Sequence, residues 1–199
     1  MNYYRRQPMN YYGHPENDRH KVFISYYHRD DQDYRELFED SFSEYYDIMV
    51  SKSVELGDID PYLKIETIRQ KIRDEYLQDS TVTVVLVGAH TWQRKFVDWE
   101  IGSSIRQTEN NSRSGLLGIL LPTYPKPSNP NYDYYIHTIP PRLYDNIQCG
   151  YAKIYDWSND PSQVQSWIHD AFKRKNENPP PDNSRDSFKK NRSGERWYD

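Results

Sequence analysis

The stretch Thr81-Val82-Thr83-Val84-Val85-Leu86-Val87 decides the fold. It is apolar on both alternating faces and β-branched almost throughout, which is the pattern of a strand covered on both sides of a sheet. Such strands belong to α/β proteins, where each parallel strand needs a crossover, usually a helix, to return the chain. The run ends at Gly88-Ala89-His90-Thr91-Trp92, and helical spacing begins soon after.

Working outward, the same alternation of strand and helix patterns repeats. Val22-Phe23-Ile24-Ser25-Tyr26 reads as a first strand. Asp30 or Asp31 then offers an N-cap for a helix carrying Tyr34, Leu37, Phe38, Phe42 and Tyr45. Asp47-Ile48-Met49-Val50 reads as a second strand, followed by a loop with Gly57, Asp58, Asp60 and Pro61. Ile65, Ile68, Ile72 and Leu77 mark the next helix. Leu116 to Leu121 forms another buried strand, stopped by Pro122. The Pro/Tyr/Asn-rich loop from Thr123 to Pro141 is long enough to suggest a functional segment. Tyr151 to Trp157 is a last strand, and Asp160-Pro161 opens a helix with Val164, Trp167, Ile168, Ala171 and Phe172 on its apolar face. The expectation is a mainly parallel five-stranded sheet with helices on both faces, and ligands beyond the carboxyl ends of its strands.

The helix after the third strand, Phe96-Val97-Asp98-Trp99-Glu100-Ile101-Gly102, places a carboxylate on the wrong face. At helical spacing Glu100 falls between Phe96 and Val97, about 40° around from Phe96. An acid within an apolar stripe resists ionising unless something compensates. One reading pairs it with an arginine at the helix edge. The other makes it a working acid at a cleft rim beside Ser25 and Tyr26.

Composition narrows the function classes. The 199 residues carry a net charge of −4 with both signs interspersed, so no basic stripe points to nucleic acid. Mean hydropathy is −1.08, with the polarity concentrated at the two ends. Residues 1–19 read as a Tyr-rich extension, 20–175 as the domain, and 176–199 as a polar, disordered tail. The single cysteine, Cys149, excludes an internal disulfide framework and fits a cytoplasmic setting. No apolar run is long enough to span a bilayer, and no metal site is expected. GxGxxG after the first strand and GxxxxGK[ST] are both missing, and Val87-Gly88 stands where a phospho-receiver needs an aspartate. His28 and His90 fall at strand ends and are candidates to meet at the cleft.

Val22-Phe23-Ile24-Ser25-Tyr26 resembles the opening strand of Toll/interleukin-1 receptor (TIR) domains, and Phe96-Val97-Asp98-Trp99-Glu100 resembles the helical W-[CV]-x-x-E element of TIR enzymes. The order of elements fits over roughly residues 20–175, and the chain is similar to the bacterial and archaeal subgroup that includes the TIR protein of the Thoeris anti-phage system. Phe96 stands where the family has tryptophan, and Arg94 and Val97 replace its typical serine and cysteine. The resemblance implies a flavodoxin-like three-layer fold. It also implies an enzyme that takes NAD as substrate, without a further cofactor, and cleaves its nicotinamide–ribose bond. Glu100 is then the catalytic glutamate, with Ser25, Tyr26, Phe96 and His28 around the substrate. The loop near residues 52–62 then corresponds to the BB loop, which joins TIR domains on assembly. The product is expected to be a cyclic ADP-ribose isomer acting as a second messenger on a separate effector, with a phage-derived activator and TIR self-association as further partners. Two rivals stand beside this: a non-catalytic TIR signalling scaffold, and a nucleoside deoxyribosyltransferase-like enzyme.

Overall fold

In the computed structural model, residues 19–52, 64–108, 111–177 and 179–198 are described. The N-terminal extension, apart from Arg19, and the loop holding Asp58 and Asp60 lie outside them. Five strands, β1 (His20–Ser25), β2 (Met49–Lys52), β3 (Val82–Val87), β4 (Gly115–Leu120) and β5 (Ala152–Asp156), form one sheet in the order β2-β1-β3-β4-β5. Every pairing is parallel, with Ile24 opposite Val84, and Val84 opposite Leu117. This is the expected α/β, flavodoxin-like sheet. All six residues of β3 and of β4 are buried, as two-sided coverage requires.

The helices are α1 (His28–Glu39), α2 (Ile65–Lys71), α3 (Lys95–Ser104), α4 (Pro141–Gln148) and α5 (Pro161–Arg174). Val22, Ile24, Val84 and Leu86 pack with Phe38 of α1 and Val164 and Ile168 of α5. On the other face, Val85, Val87 and Leu116 pack with Val97 and Ile101 of α3 and Leu143 of α4. Phe23 meets Ile68 of α2 and Trp99 of α3. The period-two alternation of β1 therefore sends Phe23 and Ser25 toward α3, and Ile24 and Tyr26 toward α1.

Several expectations shift. The second strand starts at Met49 rather than Asp47, because Asp47 adopts a left-handed conformation (φ 54°) that turns the chain first. The first helix begins at His28 after Tyr27 without a side-chain cap, and Asp31 lies buried inside its first turn. Leu37 and Tyr45, expected on the apolar face, are exposed at 48% and 80%; Tyr45 ends a π-helical stretch, Asp40–Tyr45, that continues α1 and changes the phase of the face. The Glu100 helix stops at Ser104, short of Thr108. The long loop gives way at Pro141 to α4, which its Pro-rich sequence conceals. Asp160 caps α5 as expected, its carboxylate accepting from the Ser162 amide at 2.9 Å.

The largest correction concerns the tail. Residues 179–198, expected to be loose, run as a strap across α3 and α4. Phe188 and Trp197 are only 6% and 3% exposed. Two aromatic anchors and a set of polar bonds to buried partners outweigh the polar composition. Arg142 gives hydrogen bonds to Asn183 Oδ1 and the Arg185 carbonyl, and Asn146 exchanges two with Asp182. The Trp197 indole donates to the Ile139 carbonyl at 2.7 Å.

Candidate active site at the carboxyl end of the sheet

The strand order reverses between β1 and β3, so the crevice beyond their carboxyl ends is where this fold class places its ligands. Ser25 ends β1 and is fully buried. Its hydroxyl donates to Glu100 Oε2 at 2.6 Å. Glu100 is 5% exposed, and burial pushes its carboxyl up to about 8, with the Ser25 hydrogen bond opposing that rise. The helix-edge arginine reading fails for Glu100 and holds for its neighbour: Arg142 pairs with Asp98 at 2.9 Å, both buried.

Of the residues expected around the substrate, only Ser25 makes a hydrogen bond to Glu100. Tyr26 points to the opposite face of the sheet, where its hydroxyl donates to Gln32 Oε1 at 2.7 Å and its ring stacks on His28 at 4.1 Å. Burial pushes the Tyr26 phenol up to about 12 and the His28 imidazole down. Phe96 lies one turn before Glu100, half-buried and edge-on to Trp99 at 5.1 Å. His28 and His90 have separate partners: His90 Nδ1 lies 2.7 Å from Asp30 Oδ2.

The cleft-rim expectation is also corrected. A cavity of about 410 Å³ opens at the switch point, lined by Tyr27, Asp30, His90 and Arg94 and closed on one side by Ser193 and Gly194 of the strap. Neither Ser25 nor Glu100 lines it. Arg94 sits 3.9 Å over the Tyr27 ring and also donates to Gln93 Oε1 at 2.7 Å. Thus the acid is buried and lies outside this cavity's lining, where few water molecules can stabilise its charge.

Sequence reasoning missed a second carboxyl here. Asp31 is 1% exposed, accepts from the Thr91 hydroxyl at 3.1 Å, and is pushed up to about 6 by burial. The Thr91 hydroxyl in turn accepts from the Gly88 amide at 2.8 Å. A Cβ at Gly88 would lie 2.2 Å from Asp31 Oδ1, so glycine here leaves room for the Asp31 carboxyl where it sits, and a larger residue would have to displace it. The available signals were the Asp30-Asp31 pair after the first strand and the glycine directly after the third. Among the described residues, no group of three or more His, Cys, Asp or Glu side chains is placed to hold a metal ion. No described helix is long and apolar enough to cross a membrane.

The arrangement supplies one carboxyl whose ionisation depends on what lies beside it. Neutral, it hydrogen-bonds; ionised in this poorly hydrated setting, it interacts strongly with a nearby positive charge. A family model described as the TIR-like domain of Thoeris protein ThsB matches residues 23–126, a stretch that holds Ser25, Asp31, Gly88 and Glu100. A search of curated proteins finds no match.

Proposed function

The chain belongs to the TIR-like domain family of the Thoeris anti-phage protein ThsB, and on that premise we propose that it cleaves NAD at the nicotinamide–ribose bond with Glu100 as the catalytic carboxylate. The observation that carries this reading is the buried 2.6 Å pair between Ser25, at the carboxyl end of β1, and Glu100. The nicotinamide of NAD is a cationic ring that departs as a neutral pyridine, so no general acid has to protonate it. Breaking the bond leaves oxocarbenium character at the ribose carbon, as in glycoside hydrolysis. A carboxylate held beside that carbon stabilises the developing positive charge and accepts hydrogen bonds from the ribose hydroxyls.

Burial pushes the Glu100 carboxyl up to about 8, which favours its protonated form in the resting protein. The positive charge of the bound nicotinamide favours loss of that proton, so substrate itself charges the site. Phe96, one turn earlier on the same helix, is assigned to the nicotinamide side by its place in the family's helical motif. Capture of the ribosyl cation by the substrate's own adenine gives a cyclic ADP-ribose isomer, and capture by water gives ADP-ribose. We assign the cyclic product as a diffusible messenger that reaches a separate effector.

The sealed position of Glu100 supports a resting state that is silent until an infection-derived activator or self-association opens it. It also keeps a second reading in view, a scaffold that turns over nothing. Incubating the purified protein with NAD, with and without lysate from infected cells, separates them. Nicotinamide release that depends on trigger and vanishes in Glu100→Gln is the expected result. Absence of release under every condition supports the scaffold. Turnover of deoxynucleosides with indifference to NAD supports a deoxyribosyltransferase.

A further inference from the structure

α3 begins without a local cap. Its N-cap residue, Arg94, makes no side-chain capping bond, so the first helical amides need partners from elsewhere. The strap supplies one: the Lys95 amide donates to Asn191 Oδ1 at 3.0 Å. Further contacts follow along the same helix. The Phe188 amide donates to Asp98 Oδ2 at 3.0 Å, and the Trp99 indole donates to the Phe188 carbonyl at 2.9 Å. Both residues immediately before Glu100 are therefore tied to the strap.

The strap also grips the connection between β3 and α3. The Arg192 amide donates to the Gln93 carbonyl at 2.8 Å, and Gln93 Nε2 donates to the Gly194 carbonyl at 3.0 Å. The other end of the Gln93 amide accepts from Arg94, whose guanidinium lies over Tyr27. Gly194, Gln93, Arg94 and Tyr27 thus form one chain of contacts across the cleft.

These contacts do not resemble those of a lid that leaves. Asp98 and Trp99 are 3% and 2% exposed. Lifting the strap strands a buried indole donor and removes one of the bonds that a buried carboxylate accepts, a cost that a detachable cover avoids. We propose that the C-terminal strap is a fixed positioning element for the Glu100 helix, with Asn191 its key positioning residue: by capping α3 from outside, it sets the height and tilt at which Glu100 meets the substrate. This rests on Glu100 being the catalytic carboxylate. Small displacements of a reacting group have large rate effects, so a cap at the helix start is felt one and a half turns later.

The test compares three variants of the full chain. Asn191→Ala removes the acceptor, Asn191→Asp keeps an acceptor at a helix N-terminus, and Asp145→Ala breaks a strap anchor away from α3, where Arg185 meets Asp145 at 2.6 Å. Amide hydrogen exchange is read at residues 95–100, and triggered NAD turnover is measured alongside thermal stability. The expected result is faster exchange in Asn191→Ala with kcat down on the order of tenfold or more and KM changed by less than about twofold. Asn191→Asp should restore both, and Asp145→Ala should lower the melting temperature while sparing kcat and α3 exchange. Unchanged kcat in Asn191→Ala overturns the proposal, as does an equal kcat loss in Asp145→Ala. If the wild type turns over no NAD, the catalytic reading fails on its own. Exchange then decides: unaltered protection at residues 95–100 in Asn191→Ala overturns the strap's role, and loss restored by Asn191→Asp upholds it.

Discussion

Glu100 carries a pH signature along with its proposed chemistry. Its carboxyl is raised from 4.5 to about 8, and that of Asp31 from 3.8 to about 6, both by burial. Between the ordinary and raised values the folded chain keeps protons that the unfolded chain has released. The contribution of these two groups to stability is therefore fully present below about pH 4 and is lost as pH rises, through the Asp31 window and on to the upper end of that of Glu100. Glu100→Gln should remove the upper limb: the variant's melting temperature relative to wild type should be lowest near pH 4, below the ordinary carboxyl value, and should rise through the window, leaving the variant the more stable at pH 8.5. A wild-type melt that is flat between pH 6 and 8.5 would sink this. The same substitution should cut NAD cleavage by about 10²-fold or more, the scale for losing one transition-state electrostatic contact. Ser25→Ala removes a hydrogen bond that holds the Glu100 carboxyl down. The acid limb of the kcat/KM profile should then move to higher pH, and a profile that stays in place would show that Ser25 does not tune the acid. The anomaly of Glu100 was legible because a carboxylate in an apolar stripe breaks a one-dimensional pattern. Its seal, and the Asp31–Gly88 contact, were not, because both depend on how closely two elements pack.

At the scale of elements, the buried strands were the legible part. Thr81–Val87 and Leu116–Leu121 signal themselves by composition, and the structure moves their bounds by one residue. The short edge strand was displaced by Asp47, whose backbone conformation leaves no trace in hydropathy. α4 escaped notice because its eight residues follow a run dominated by turn-forming side chains. Close packing between elements yields a sharp prediction at Gly115, the first residue of β4. A Cβ there would lie 2.1 Å from the Ala171 carbonyl oxygen of α5, a backbone atom with no rotamer to escape into. Gly115→Ala should destabilise the fold by about 1–3 kcal/mol or more, as overpacking does. Denaturant midpoints would show it, and an unchanged midpoint would mean that α5 shifts freely.

For the whole molecule, composition misled where two residues mattered more than twenty. The C-terminal stretch is polar on average, yet Phe188 and Trp197 bury themselves and the backbone around them satisfies α3 and α4. Deleting residues 179–198 should therefore lower the melting temperature, on the order of several degrees or more, rather than leave it unchanged. An unaltered melt would show that the strap adds nothing to the folded state. The strap has a further consequence in time. Its partners, Gln93 and Lys95, lie roughly a hundred positions upstream of Asn191 and Arg192. Contacts so distant in sequence close late. During synthesis, the sheet can assemble while the start of α3 still waits for its cap, because that cap is translated roughly a hundred residues after the helix it serves. A growing chain would then hold the proposed acid slightly out of place until the strap has docked on α3.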